Sequence, residues 1–331
     1  MLMGAAITGW GVALPSRELR NDELAESLPV TAKWIRDRTG IEMRRIAGPE
    51  DSASSLAITA GHAALTRAGV EPDDLDLVIV ATSTPDYQLP ATAPLVQAAL
   101  GAEKAGAFDT NAACSGFLYG LAQADGLIAS GTARKILFCA SDLLSRVSDY
   151  TDPSSCVLFG DGAGAVVIER VDGESRLGPF VLRSDGSGAG LLRIPSGDPF
   201  LRMEGREVYR RAVDAMSRSV NEIVERAGMK LDEIDLVVAH QANARIVEAV
   251  GQRLGLRPDQ VALNIARLGN TSAASIPLAL AQASDEGDLE NGDHVIITAF
   301  GAGFVWGAAL VRWGAPIDGQ NELVLAGEMN V

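Results

Sequence analysis

Residues 63–78, AALTRAGVEPDDLDLV, return at residues 222–237 as EIVERAGMKLDEIDLV, at a constant offset of 159 residues. Arg67 matches Arg226, Ala68 matches Ala227, Gly69 matches Gly228, Asp73 matches Asp232 and Asp76 matches Asp235. Each copy passes from a helical pattern through a glycine stop into an apolar run, so a helix, loop and strand unit occurs twice. A second echo follows in the same order, GDGAGAVVIER at 160–170 and AFGAGFVWGAALVR at 299–312. Chance likeness of Ala- and Gly-rich units is the competing account, but two ordered echoes point to duplication. The expected halves are 1–172 and 173–331.

The runs LDLVIVAT (75–82), KILFCAS (135–141), IDLVVAH (234–240) and HVIITAF (294–300) lack the alternation of a half-wet sheet and read as strands buried on both faces. Helical patterns lie between them, at 52–68, 92–100, 115–130, 206–227 and 243–254. The expected class is layered α/β. A hydrophobic fraction of 47% supplies a sizeable core, and the formal charge of −15, from 28 basic and 43 acidic residues, argues against binding nucleic acid or an anionic membrane. No run approaches the roughly 20 apolar residues of a membrane span. Three cysteines without a CxxC pair suggest a reducing compartment, hence a cytoplasmic protein.

Cys114, in GAFDTNAACSGF, ends an apolar stretch just where a helical pattern begins. A free thiol is only about 3% thiolate at pH 7, and a helix N-terminus favours the anion, so an anionic nucleophile is expected there. A cysteine among Ala and Gly is equally a buried small residue. Cys139 and Cys156 sit in runs that read as strands, where an inert thiol is expected. His240, in VVAHQANARI, stands at the carboxyl end of a buried strand, where α/β proteins gather functional groups, although a lone His is more often an ordinary hydrogen-bonded residue. His62 and His294 have no chemical context. Asn270, in RLGNTSAASIPLAL, reads by itself as a helix cap. The glycines at 160–164 and 301–303 match no nucleotide-loop pattern and read as tight turns. No metal is expected, because His and Cys are too scattered for a ligand set.

Taken together, WIRDRTGI (34–41), FDTNAACSGF (108–117), FGDGAGA (159–165), HQAN (240–243), GNTSAASIP (269–277) and FGAGFVWGAALVRW (300–313) resemble, in order, the markers of the β-ketoacyl-acyl carrier protein synthase III family of the thiolase superfamily. The resemblance spans the chain and implies a duplicated thiolase-like five-layered αβαβα fold, a homodimer, and a catalytic triad of Cys114, His240 and Asn270. It implies decarboxylative Claisen condensation of an acyl-CoA primer with malonyl-acyl carrier protein through an acyl-cysteine, initiating fatty acid or polyketide synthesis. Both are substrates, and no cofactor is expected. Ala302 would complete an oxyanion hole and Phe300 would shield the decarboxylation site. Trp34, Arg38, Asn243 and Arg206 fall at CoA-binding positions. Arg210, Arg245 and Arg253 fall where the acidic carrier protein would dock.

Several positions depart from the family. An adenine-contacting arginine is missing near Pro153 and Ser154, Arg206 replaces a frequent Asn, the region 186–203 is short, and Leu89 replaces an aromatic that limits the acyl pocket. The alternatives are a starter-unit acyltransferase or ester- or amide-forming synthase, and a noncatalytic partner subunit. A degradative thiolase would need a second cysteine in GAGF (301–304), which is absent.

Overall fold

The expected apolar runs pair into two sheets of the same design in a computed structural model that describes residues 3–315; residues 316–331 of the expected second half lie outside them. The first sheet takes its strands in the spatial order Met3–Ala13, Asp161–Asp172, Lys135–Leu143, Leu77–Ala81 and Gly106–Thr110. The second runs Leu177–Ser184, Val305–Arg312, His294–Gly301 and Leu236–Ala239. In both, two antiparallel pairings are followed by a parallel one. Leu77 and Leu236, like Lys135 and His294, stand 159 residues apart, so the sequence offset is carried into the strand positions. Among the described residues Gly106–Thr110 has no strand counterpart in the second sheet, where Val237 meets an isolated bridge at Val261.

The strands are unbroken in their hydrophobicity because helices cover both faces of each sheet. Helices Ala53–Ala68 and Thr92–Leu100 lie outside the first sheet, Gly116–Ala129 and Ser275–Glu286 lie between the sheets, and Gly205–Ala227 and Ala244–Leu254 cover the second. The layers run αβαβα, as expected. The largest apolar core occupies the middle layer, where Phe117, Leu118 and Leu121 of one helix and Ile276 and Leu280 of the other meet Phe138, Val238 and Ile297 from the strands. Gly120 admits this approach, since a Cβ there would lie 2.1 Å from the Phe138 ring.

The helices match their expected spans to within a residue or two, and two smaller expectations are corrected. The glycines at 160–164 are not a tight turn: strand Asp161–Asp172 already runs through them, and Gly164 leaves room for Pro277, which a Cβ would meet at 2.7 Å. Cys156 lies in the turns before that strand rather than in a strand, buried among Leu144, Val157 and Phe159.

Candidate active site

The two inter-sheet helices begin at one place. Helix Gly116–Ala129 follows the 3-10 turn Ala113–Ser115, helix Ser275–Glu286 follows the 3-10 turn Ser272–Ala274, and the two turns pack together. Each holds one non-glycine residue in the left-handed region, Ala113 at φ +47° and Ser272 at φ +54°, a conformation L residues adopt only when their surroundings enforce it. At the second turn the neighbouring anchor is Asp142, fully buried at the end of strand Lys135–Leu143. Its carboxylate accepts the Ser83 N–H at 2.7 Å and the Ala273 N–H at 3.2 Å, tying a loop of the first sheet to the second turn.

Three residues far apart in sequence are held by the single segment Asn270–Ser275. Asn270 Oδ1 accepts the Ser272 N–H at 2.9 Å, which leaves its Nδ2 donors for other partners; the capping role read from the sequence uses only one end of the amide. The Ser272 hydroxyl donates to Cys114 Sγ at 3.6 Å. Ser275 Oγ lies 2.7 Å from His240 Nδ1. His240 follows strand Leu236–Ala239 and is anchored by its backbone N–H donating to Thr298 O at 2.8 Å.

Cys114, His240 and Asn270 line one cavity of about 980 Å³, together with Phe300 and Ala302. Gly301 brings the late glycine turn against the nucleophile, since a Cβ there would lie 2.9 Å from the Cys114 nitrogen. Phe300 packs in a tilted contact with Phe304, ring centroids 4.7 Å apart, and presents an apolar wall. His240, Asn270 and Phe300 are buried, whereas Trp34, Arg38, Arg206 and Arg245 line the same cavity from exposed positions and mark its mouth. Trp34 lies under the Arg38 guanidinium at 5.5 Å. Asn243 has both ends of its side chain engaged: Oδ1 accepts the Arg245 N–H at 3.0 Å, capping helix Ala244–Leu254, and Nδ2 donates to the Arg38 carbonyl at 3.2 Å.

Arg210 and Arg253 stand apart from the cavity lining and are paired with Glu207 and Asp214, at 2.7 Å and 2.8 Å. Arg206 and Arg245 carry no ion pair among the described residues. Pro153 and Ser154 line the mouth, as the missing arginine implied, while Leu89 is 88% exposed and outside this lining. Sequence reasoning missed Asp142, Ser272 and Ser275, and also Arg193 and Tyr209, which line the same cavity. The serines of GNTSAASIP look alike as helix-start residues, and nothing local tells which of them meets a thiol or an imidazole.

Burial works against the expected thiolate. Burial pushes the Cys114 thiol up to about 12, opposed by the Ser272 hydroxyl and reinforced by the Asp142 carboxylate. A helix N-terminus favours an anion by at most about 2 kcal/mol, about 1.5 pH units, which does not bring such a thiol to neutrality. Burial pushes His240 the other way, down to about 3. Both shifts favour the uncharged forms, a thiol and a neutral imidazole, over their ions.

Among the described residues no group of three or more His, Cys, Asp or Glu gathers as metal ligands. The arrangement is a half-buried nucleophile with two hydrogen-bond groups in a cavity with a basic mouth, suited to acyl transfer. Comparison with known proteins agrees. The family model for 3-oxoacyl-[acyl-carrier-protein] synthase III matches residues 108–186, and that for its C-terminal region matches residues 224–313. A β-ketoacyl-[acyl-carrier-protein] synthase III of Roseiflexus castenholzii is 46% identical over 325 residues, covering 94% of this chain and 98% of the relative. The crystal structure of the Aquifex aeolicus 3-oxoacyl-[acyl-carrier-protein] synthase III superposes with a TM-score of 0.91 at 44% identity, covering 94% of this chain and 100% of that one. A priming β-ketosynthase from a polyketide biosynthetic pathway gives 0.91 at 35% identity, covering 95% and 98%. With this likeness running through both sheets and the segments that hold Cys114, His240 and Asn270, the chain belongs to the 3-oxoacyl-[acyl-carrier-protein] synthase III family, enzymes of the condensing acyltransferase class.

Proposed function

We propose that this protein condenses an acyl-CoA primer with malonyl-acyl carrier protein, initiating fatty acid or polyketide synthesis, with Cys114, His240 and Asn270 as catalytic residues. The observation that carries this reading is their convergence on one cavity with a basic mouth. Cys114 Sγ attacks the thioester carbonyl, the S–C bond to CoA breaks, and the thiol proton ends on the departing CoA sulfur. Malonyl-acyl carrier protein then loses carbon dioxide, and His240 Nε2–H and the Asn270 Nδ2 amide donate to the enolate oxygen. Its carbon attacks acyl-Cys114, forming the new C–C bond and releasing the sulfur, which regains a proton. The N–H groups of Cys114 and Ala302 hold the tetrahedral oxyanion, where one such donor is worth about 3–4 kcal/mol.

An uncharged His240 suits this work, because it donates a hydrogen bond without neutralising the malonyl carboxylate whose loss drives the reaction. Phe300 keeps water from that carboxylate. Trp34, Arg38 and Arg206, with the Asn243 backbone region, receive the CoA nucleotide and pantetheine. Arg245 and Arg206 meet the acidic carrier protein at the mouth, with Arg210 and Arg253 on the surrounding surface. Substrates supply all the chemistry, and no cofactor takes part.

The protein works as a homodimer in the cytoplasm. Supporting the dimer, Gly106–Thr110 is a sheet edge with one side unpaired among the described residues, and Phe108, Tyr87 and Leu89 are exposed. Among the described residues no helix is long and apolar enough to cross a membrane. The chain divides near residue 172 into two related halves, the first carrying Cys114 and the second His240 and Asn270, a reading supported by the common strand order and offset.

Incubation with an acyl-CoA panel, identification of the adduct by mass, and addition of malonyl-acyl carrier protein test the reading. A Cys114 adduct converted to β-ketoacyl carrier protein is expected. Discharge only to an alcohol or amine would favour a starter-unit acyltransferase or ester-forming enzyme, and no adduct with any donor would favour a noncatalytic subunit.

A further inference from the structure

We infer that Ser275 is a positioning residue that holds His240 in the tautomer with its proton on Nε2, an inference that rests on the proposed role of His240 as a donor to the enolate. Ser275 Oγ lies 2.7 Å from His240 Nδ1, and both residues are 1% exposed. The same oxygen accepts the Gln241 N–H at 3.3 Å. A hydroxyl has one proton to give, and among the described residues Nδ1 is the sole acceptor within hydrogen-bond range of this one. The proton therefore points to Nδ1, which must present its lone pair, and the neutral ring carries its own proton on Nε2. The reverse arrangement would strand a buried O–H without an acceptor and turn an Nε2 lone pair toward the enolate oxygen, repelling it.

The frame around this contact is locked. Ser275 opens a helix packed between the sheets. Gln241 is pinned by its side chain, which donates to Ala239 O at 2.8 Å and Ala262 O at 3.1 Å and accepts the Asn264 N–H at 3.2 Å. A hydroxyl in this position differs from the carboxylate that often backs a catalytic imidazole, because it orients the ring without making it more basic.

The test is long-range proton–nitrogen NMR of the histidine rings in the full chain, for wild type, Ser275→Ala and Ser275→Thr, with His240→Gln used for assignment. Wild type is expected to show protonated Nε2 and unprotonated Nδ1. Ser275→Ala is expected to show a tautomer mixture, with condensation reduced about 10–100-fold while Cys114 acylation stays within about twofold. Ser275→Thr is expected to restore both the spectrum and the rate. A wild-type ring protonated on Nδ1 overturns the inference, even if no variant folds. So does a Ser275→Ala protein that keeps Nε2–H alone and condenses normally. A shifted tautomer with undiminished condensation would support the positioning by Ser275 and refute instead the donor role of His240.

Discussion

Acidifying the protein from pH 7.5 to pH 5 is expected to leave His240 uncharged. An ordinary imidazole with a pKa near 6.5 is about 97% protonated at pH 5, whereas a ring that burial has pushed down to about 3 is about 1% protonated. Charging it in the folded protein at its ordinary pKa would cost about 5 kcal/mol, the free-energy equivalent of the difference between the two values. The effect on stability has a definite sign. Below about pH 6.5 the unfolded chain takes up a proton that the native state refuses until about pH 3, so stability falls as acid is added. Between pH 7 and pH 5 this one residue removes about 2 kcal/mol. Only three histidines are present, so the ring Cε1–H resonances can be followed individually, His240 being assigned by its disappearance in His240→Gln. Its signal is expected to stay flat from pH 8 to pH 4.5. In urea unfolding, wild type is expected to lose about 2 kcal/mol more than His240→Gln between pH 7 and pH 5. A His240 midpoint between pH 5.5 and pH 7, or equal losses in the two proteins, would refute the assignment of a desolvated neutral ring.

Three other outcomes follow from the geometry. Gly301→Ala would place a Cβ 2.9 Å from the Cys114 nitrogen and must move the two turns apart by a few tenths of an ångström. The expected result is about 1–3 kcal/mol lower stability by thermal melting and about tenfold slower Cys114 acylation by mass, and wild-type acylation would refute it. With the thiol pushed up to about 12, alkylation of Cys114 by iodoacetamide should accelerate about tenfold per pH unit from pH 7 to pH 10; a plateau near neutrality would show that the helix N-terminus outweighs burial. Arg206→Glu and Arg245→Glu should each raise the KM for malonyl-acyl carrier protein several-fold at low salt and less at high salt. Arg210→Glu, which removes a cation already paired with Glu207, should do less.

The duplicated helix, loop and strand unit, the doubly buried strands and the order of six marker segments were all legible from residue types and spacing, because hydrophobic period and glycine stops are local properties that the fold obeys. Cys114, His240 and Asn270 came from the family resemblance rather than from periodicity, since each has an ordinary reading in its own segment. Tertiary packing alone settled three matters. It selected Ser272 for the thiol and Ser275 for the imidazole from a run of similar small residues, across separations of 158 and 35 positions. It paired Arg210 and Arg253 on the outside while leaving Arg206 and Arg245 at the mouth. It also set desolvation against the anion expected at Cys114, because a sequence can place a thiol at the start of a helix but cannot say how much water reaches it, and water decides whether the anion is tolerated.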